Sequence, residues 1–290
     1  MLEKIRSPKI LFDILEIMIY KRKLNLIKYN KKIQKRLNID HTSYNKFLII
    51  KEMNEKYQLN IKGPEHNVLE LENQNGTEIF EYINKIRFNN LTTLNLQWAN
   101  IDNLTYLEKI NLSKLRILNL NFNNISEINF IQVFKLGNLK ELSLFGNNIS
   151  DIKAFEDIKF ENLEKLDLSR NKIKIINISQ KVNFPKLKEL NMSYNKLIDI
   201  GSFNQFIFGQ LEKLWISGNE ITDINVLEKL NLKELKELYL NSNKISDINV
   251  LGKINFKDLN KLDLTSNPIN NDLCSDTISK LRKDINRFYK

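Results

Sequence analysis

A leucine stands at Leu91, Leu115, Leu139, Leu163, Leu187, Leu211, Leu235 and Leu259, so the same residue type returns every 24 positions. Equal steps in unbroken succession call for an array in which each lap of chain repeats the last. Only such an array puts equivalent residues into equivalent surroundings. From each anchor the pattern reads Leu-x-x-Leu-x-Leu-x-x-Asn-x-Ile, as in the stretch from Leu115 through Leu118, Leu120 and Asn123 to Ile125. The Leu-x-Leu alternation has the period of a strand, so these leucines face one side and the residues between them face the other. Laps stacked in register predict a parallel sheet with strands about 4.8 Å apart. Its leucine face must be covered by the rest of each lap.

Three columns of apolar residues supply that cover. One is Leu107, Ile131, Phe155, Phe203, Leu227 and Leu251. The next is Ile110, Phe134, Ile158, Val182, Phe206, Leu230 and Ile254. These two lie three residues apart, the spacing of one helical turn. The third column, Leu112, Leu136, Phe160, Phe184, Phe208, Leu232 and Phe256, predicts a packed spine. An asparagine column, Asn123, Asn147, Asn171, Asn195, Asn219, Asn243 and Asn267, falls where the chain leaves the strand. Buried backbone groups there lack ladder partners, and an amide with two donors and an acceptor can satisfy them in its own turn and in the adjacent one. The first lap has Ala99 in that place, as befits an atypical end unit.

The pattern resembles the leucine-rich repeat family, in its intracellular type with 24-residue units. The resemblance implies an α/β solenoid, with a curved parallel sheet on the concave face and short helices or turns on the convex face. It leaves the function to the choice of surface residues on that scaffold. On this reading residues 63–90 are an N-terminal cap or degenerate repeat, in which Val68-Leu69-Glu70-Leu71 is a strand one residue out of phase. Residues 91–269 hold eight repeats and residues 270–290 a helical C-terminal cap, since a stack needs both open ends closed. Asn267-Pro268 marks a turn beyond which no strand is needed. Ile278, Leu281, Ile285 and Phe288 trace one face of a helix from Ser275 to Tyr289.

Residues 1–62 lack the repeat and hold most of the net charge of +10, with 15 Lys/Arg against 6 Asp/Glu; residues 63–290 hold 30 against 29. The basic stretch from Lys21 to Arg36 reads as a solvated helix face, and its other readings are an acidic partner, nucleic acid or a membrane surface. Nucleic acid and membrane are not the expected partners. Ser7-Pro8 starts a helix whose face is Ile10, Leu11, Ile14, Leu15 and Met18. Leu24, Ile27, Ile33 and Leu37 suggest further short helices, and Tyr44 to Tyr57 another. A proline-led helix and a second helix ahead of leucine-rich repeats are similar in outline to F-box proteins, the substrate receptors of ubiquitin ligases. That resemblance implies an adaptor anchor over residues 8–37. The plainer reading of 1–62 is a helical cap or linker region.

No reading favours an enzyme, a cofactor, a metal or a small-molecule substrate. His41 and His66 have no cysteine or carboxylate at ligand spacing. The single cysteine, Cys274, reads as a packing residue and forms no internal disulfide. With no secretory signal and no apolar run long enough to span a bilayer, the expected location is cytoplasmic. What remains is surface. The residues between and just after the strand leucines place Trp98, Phe122 and Phe145 early in the array and Tyr194, Trp215 and Tyr239 later, with Arg170 between them. These are the residue types that dominate binding at interfaces, and the expected site is a protein or peptide partner held on this concave face.

Overall fold

The computed structural model describes residues 30–32, 35, 41–61, 66–107, 110–134 and 136–290. The proposed adaptor anchor over 8–37, and with it most of the basic stretch, lies outside the described residues apart from 30–32 and 35.

Among the described residues, ten three-residue strands form one parallel sheet in which each strand pairs with the next lap. They are β1 (Val68–Glu70), β2 (Thr93–Asn95), β3 (Ile117–Asn119), β4 (Glu141–Ser143), β5 (Lys165–Asp167), β7 (Glu189–Asn191), β9 (Lys213–Trp215), β10 (Glu237–Tyr239), β11 (Lys261–Asp263) and β12 (Arg287–Tyr289). From β2 to β11 the register pairs residues 24 apart, for example Leu118 with Leu142. Only the end steps differ: Leu69 pairs with Leu94 and Leu262 with Phe288. The strand placed one residue out of phase thus joins the sheet in register across a 25-residue step.

The leucine face is buried throughout, and the convex side closes it with short turns instead of full helices. Most are single 3₁₀ turns, such as Lys153–Asp157 and Asn225–Lys229. Asp151, Asp199, Asp223 and Asp247 each accept the backbone N–H two residues ahead and so start these turns. The spine is present: Phe160 stacks on Phe184 at 5.5 Å and Phe184 on Phe208 at 6.2 Å. The fourth lap differs because Ser179 stands where its neighbours have an apolar residue. Glu156 accepts hydrogen bonds from the Ser179 and Gln180 backbone, and the chain runs extended into β6 (Val182–Phe184), which pairs with β8 (Phe206–Phe208).

The asparagine column works as the chemistry requires. The Asn123 amide donates to the carbonyls of Leu96 and Leu120, and its oxygen accepts from the N–H groups of Ala99 and Ile101. Each asparagine therefore stitches its own turn to the lap before it. Ala99 needs no such stitch because the element before it is helix α2 (Gly76–Ile86), whose Gly76 N–H donates to the Ala99 carbonyl at 2.8 Å.

Two ends close the array. Helix α1 (His41–Tyr57) docks on α2 and buries Ile50 and Met53 in the same core as Leu69, Ile79 and Ile83. Asn54 holds the following loop by both bonds to the Ile61 backbone, and Lys56 lies against the rings of Tyr57 and Tyr82 while paired to Glu78. At the other end the sequence expectation needs correction. The terminal helix, α5 (Ser275–Asp284), stops before Ile285, which is extended, and residues 287–289 add a further strand beyond Pro268. The unpaired edge of β11 offers backbone groups that a strand satisfies and a helix does not: Arg287 N–H donates to Asn260 and Leu264 N–H to Tyr289. Phe288 thereby takes the place of a strand leucine. Between them lie the short helices α3 (Phe130–Val133) and α4 (Asn249–Lys253), and Cys274 is buried with its sulfur near the Ser246 carbonyl, as a packing residue. No helix among the described residues is long and apolar enough to cross a membrane.

Candidate binding face

Strand alternation puts three columns on the concave face, and a fourth follows in the turn. The residue between the strand leucines carries the turn-forming amides and acids. Asn95, Asn119, Asp167, Asn191 and Asp263 each accept the N–H two residues on, at 2.8–3.1 Å. The same column contains Trp215 and Tyr239, whose rings stack at 5.9 Å. Lys213 lies against Trp215 and Lys261 against Tyr239, at 5.6 and 4.6 Å from the ring centres.

The other expected site residues fall in a different place. Trp98, Phe122, Arg170 and Tyr194 occupy the position just past the strand, where every lap has a left-handed residue with φ between 51° and 69°. They form the rim of the sheet and not its floor, a correction to the reading that put them on the strand face. The cause is local: the chain must reverse off the strand while the asparagine carbonyl and amide are brought to the preceding turn, and a left-handed residue makes that bend. Along this rim Trp98 stacks on Phe122 at 4.1 Å and Phe122 meets Phe145 edge-on at 4.6 Å. The Arg170 guanidinium sits 5.8 Å from the Phe145 ring and 5.1 Å from that of Tyr194. Five of the seven expected residues thus make one continuous ridge, and Trp215 with Tyr239 make a second platform. Trp98 and Tyr194 remain more than half exposed, at 51% and 55%.

The rim has its own steric rule. Gly146 and Gly218 follow Phe122 and Tyr194 by one lap, and the rings lie across them. A Cβ on Gly146 would stand 2.9 Å from Phe122 Cδ1, and one on Gly218 2.7 Å from Tyr194 Cδ1. Gly218→Ala therefore meets both the left-handed backbone and the ring. A loss of about 1–2 kcal/mol is expected, measured by thermal denaturation, together with a displaced Tyr194 ring seen in its NMR shifts. An unmoved ring would contradict this packing.

A further column escaped the sequence reading. One residue before the inner leucine, charges alternate lap by lap: Glu141, Lys165, Glu189, Lys213, Glu237, Lys261. One position earlier they alternate in opposite phase: Lys140, Glu164, Lys188, Glu212, Lys236. The signal was available at the 24-residue period. Lys140 pairs with Glu164 at 2.6 Å, Lys213 with Glu189 at 3.2 Å and Lys236 with Glu212 at 2.7 Å. These bonds hold the Glu164 and Glu212 carboxyls below their ordinary range, chiefly through the hydrogen bonds from Lys140 and Lys236. Skipping a single lap would set like charges side by side, so the checkerboard favours the native lap order.

A profile of leucine-rich repeats in two copies matches residues 137–180, 161–205, 185–229 and 209–253. Among solved structures, internalin C2 from Listeria monocytogenes is 23% identical with a TM-score of 0.54, covering 72% of this chain and 81% of that one. TLR13, solved in complex with ssRNA13, is 24% identical with a TM-score of 0.51, covering 75% of this chain and 34% of that one. Both are likenesses of fold. No curated protein matches the chain in sequence. The 24-residue register, the asparagine stitch and the matched repeats agree: residues 137–253 are leucine-rich repeats, and the chain has the leucine-rich repeat solenoid fold.

Proposed function

We propose that this protein is a non-catalytic interaction module that holds a protein or peptide partner on its concave side, between the aromatic ridge and the Trp215–Tyr239 platform. One observation carries the reading. The rim position is left-handed in every lap and takes a small residue at Gly146, Gly218, Ser242 and Ser266, yet Trp98, Phe122, Arg170 and Tyr194 occupy it in the other four laps. A non-glycine residue there costs of order 1 kcal/mol, and the fold works without one. Large side chains kept at such sites, two of them more than half exposed (Trp98 and Tyr194), serve something outside the fold. Trp, Tyr and Arg are the side chains that anchor partners most strongly, and the sheet beneath holds them rigid.

The test is partner capture followed by mass spectrometry, with the double variant Trp215→Ala/Tyr239→Ala beside the wild type. Capture is expected to fall at least tenfold, a loss of the size seen when two central anchors are removed. The melting curve should shift only slightly, because neither ring is part of the leucine core. Undiminished capture by the double variant would remove the platform from the binding site.

A further inference from the structure

Asp167 carries a charge that the fold does not use. Its structural task is to accept the N–H of Ser169, at 2.8 Å, and the Ser169 hydroxyl, at 2.5 Å. Asn95, Asn119 and Asn191 perform the backbone part of that task in the same column with a neutral amide. At Asp167 the carboxylate is set into the sheet, and burial pushes its pKa up against the hydrogen bonds from Ser169 and Asn191. The neighbouring lysines are already held. Lys165 pairs with Glu141 at 3.6 Å, and Lys213 with Glu189 and Glu237 at 3.2 and 3.9 Å. Among the described residues none forms an ion pair with Asp167.

The carboxylate opens into a hollow of about 260 Å³ on the concave face, lined also by Glu141, Lys165, Glu189, Asn191 and Trp215. Register puts Asp167, Asn191 and Trp215 on successive strands. The acid and the indole are therefore two strand spacings apart, about 10 Å, with the short Asn191 between them. One face of Trp215 stacks on Tyr239, the residue of the following strand. Glu141 and Glu189 of the hollow each sit with a lysine, Lys165 and Lys213, and Asp167 is the lining carboxylate that does not.

The geometry points to a receptor for a cationic side chain: the hollow takes a lysine or arginine of the bound polypeptide, with Asp167 as its counter-ion and Trp215 as its aromatic wall. A guanidinium or ammonium matches both, since it pairs with a carboxylate and is attracted to a ring face. The inference rests on the proposed use of the concave side and narrows the partner to a polypeptide with a basic anchor. Asp263 makes the same two bonds to Thr265 near the end of the array; at the central position 167 the part-buried carboxylate also faces a hollow in which a ligand cation would complete its charge.

The probe is an array of random twelve-residue peptides exposed to the full chain, with Asp167→Asn and Trp98→Ala/Tyr194→Ala in parallel. Wild-type protein should retain peptides enriched in Lys and Arg, and Asp167→Asn should lose roughly tenfold of that enrichment while binding other peptides as before. Its melting temperature at neutral pH should equal or exceed that of the wild type, which separates a lost ligand contact from a lost fold. The sign follows from the raised pKa: the buried charge opposes folding above that pKa, and the difference between the two proteins should vanish as pH falls below the ordinary aspartate value. Peptides retained without basic enrichment, or an enrichment unchanged in Asp167→Asn, would overturn the basic anchor and leave the concave site standing. Retention of no peptide would overturn both, and equal retention by Trp98→Ala/Tyr194→Ala would overturn the ridge's part in the proposed function and leave the basic anchor standing.

Discussion

Replacing Asn171 with alanine is expected to lower the stability of the array by about 2–4 kcal/mol, seen as a fall of roughly 5–10 °C in melting temperature. The Asn171 amide donates to the carbonyls of Leu144, Leu168 and Ser169 at 2.9, 2.9 and 3.2 Å, and its oxygen accepts the Ile149 N–H at 3.0 Å. Alanine keeps only the Cβ, so a donor and its acceptors stay buried with no water to replace the lost amide. Asn171→Asp should do no better, because a carboxylate repels the three carbonyls it would have to face. The lesion lies at a junction between laps in the middle of the stack. Solenoids couple only nearest neighbours, so the two halves should melt more independently and the transition should broaden in calorimetry. A shift below about 2 °C would contradict the stitching role.

The second large effect is expected at Phe184. Its ring is fully buried, stacked between Phe160 and Phe208 and edge-on to Phe206 at 5.7 Å. Phe184→Ala removes a ring from a spine that joins three laps and should cost about 3–5 kcal/mol. Phe184→Leu keeps most of the volume and should cost less than half of that, about 1–2 kcal/mol. Chemical denaturation of the two variants checks the ordering, and equal losses would mean that retained volume does not replace the ring, so that stacking and not plain burial carries the site. The spine lies on the far side of the sheet from Trp215 and Tyr239. Partner capture per folded molecule should therefore be unchanged in both variants.

The two effects differ in how far they could be read from the chain. The asparagine column and the Phe160–Phe184–Phe208 spine follow from residues that recur at one period, and the structure places them as that period requires. For the candidate face, the period located the columns and not the shape of the turn that follows the strand. All seven expected residues reach the concave side or its rim. The left-handed turn that separates Trp98, Phe122, Arg170 and Tyr194 from the strand face was not legible, because the chain marks it with glycine only at Gly146 and Gly218. The charge checkerboard was legible at the same period, one column over from the residues that drew attention.

The C-terminal end shows the limit. Ile278, Leu281, Ile285 and Phe288 fit a helical face, yet the helix stops and Phe288 enters the sheet, since the open edge of β11 outweighs three residues of helical spacing. Asp167 is a parallel case. In the linear chain it is one more turn-forming residue, and only the stacking of β5, β7 and β9 puts its carboxylate and the Trp215 indole on the same hollow. Whatever repeats was written in the sequence: the parallel sheet, the buried leucines, the asparagine stitch. The tertiary structure alone decided what happens where repetition ends or a column breaks. There the outcome depends on side chains 24 to 48 residues apart meeting across laps, and a single lap of sequence carries no record of its neighbour.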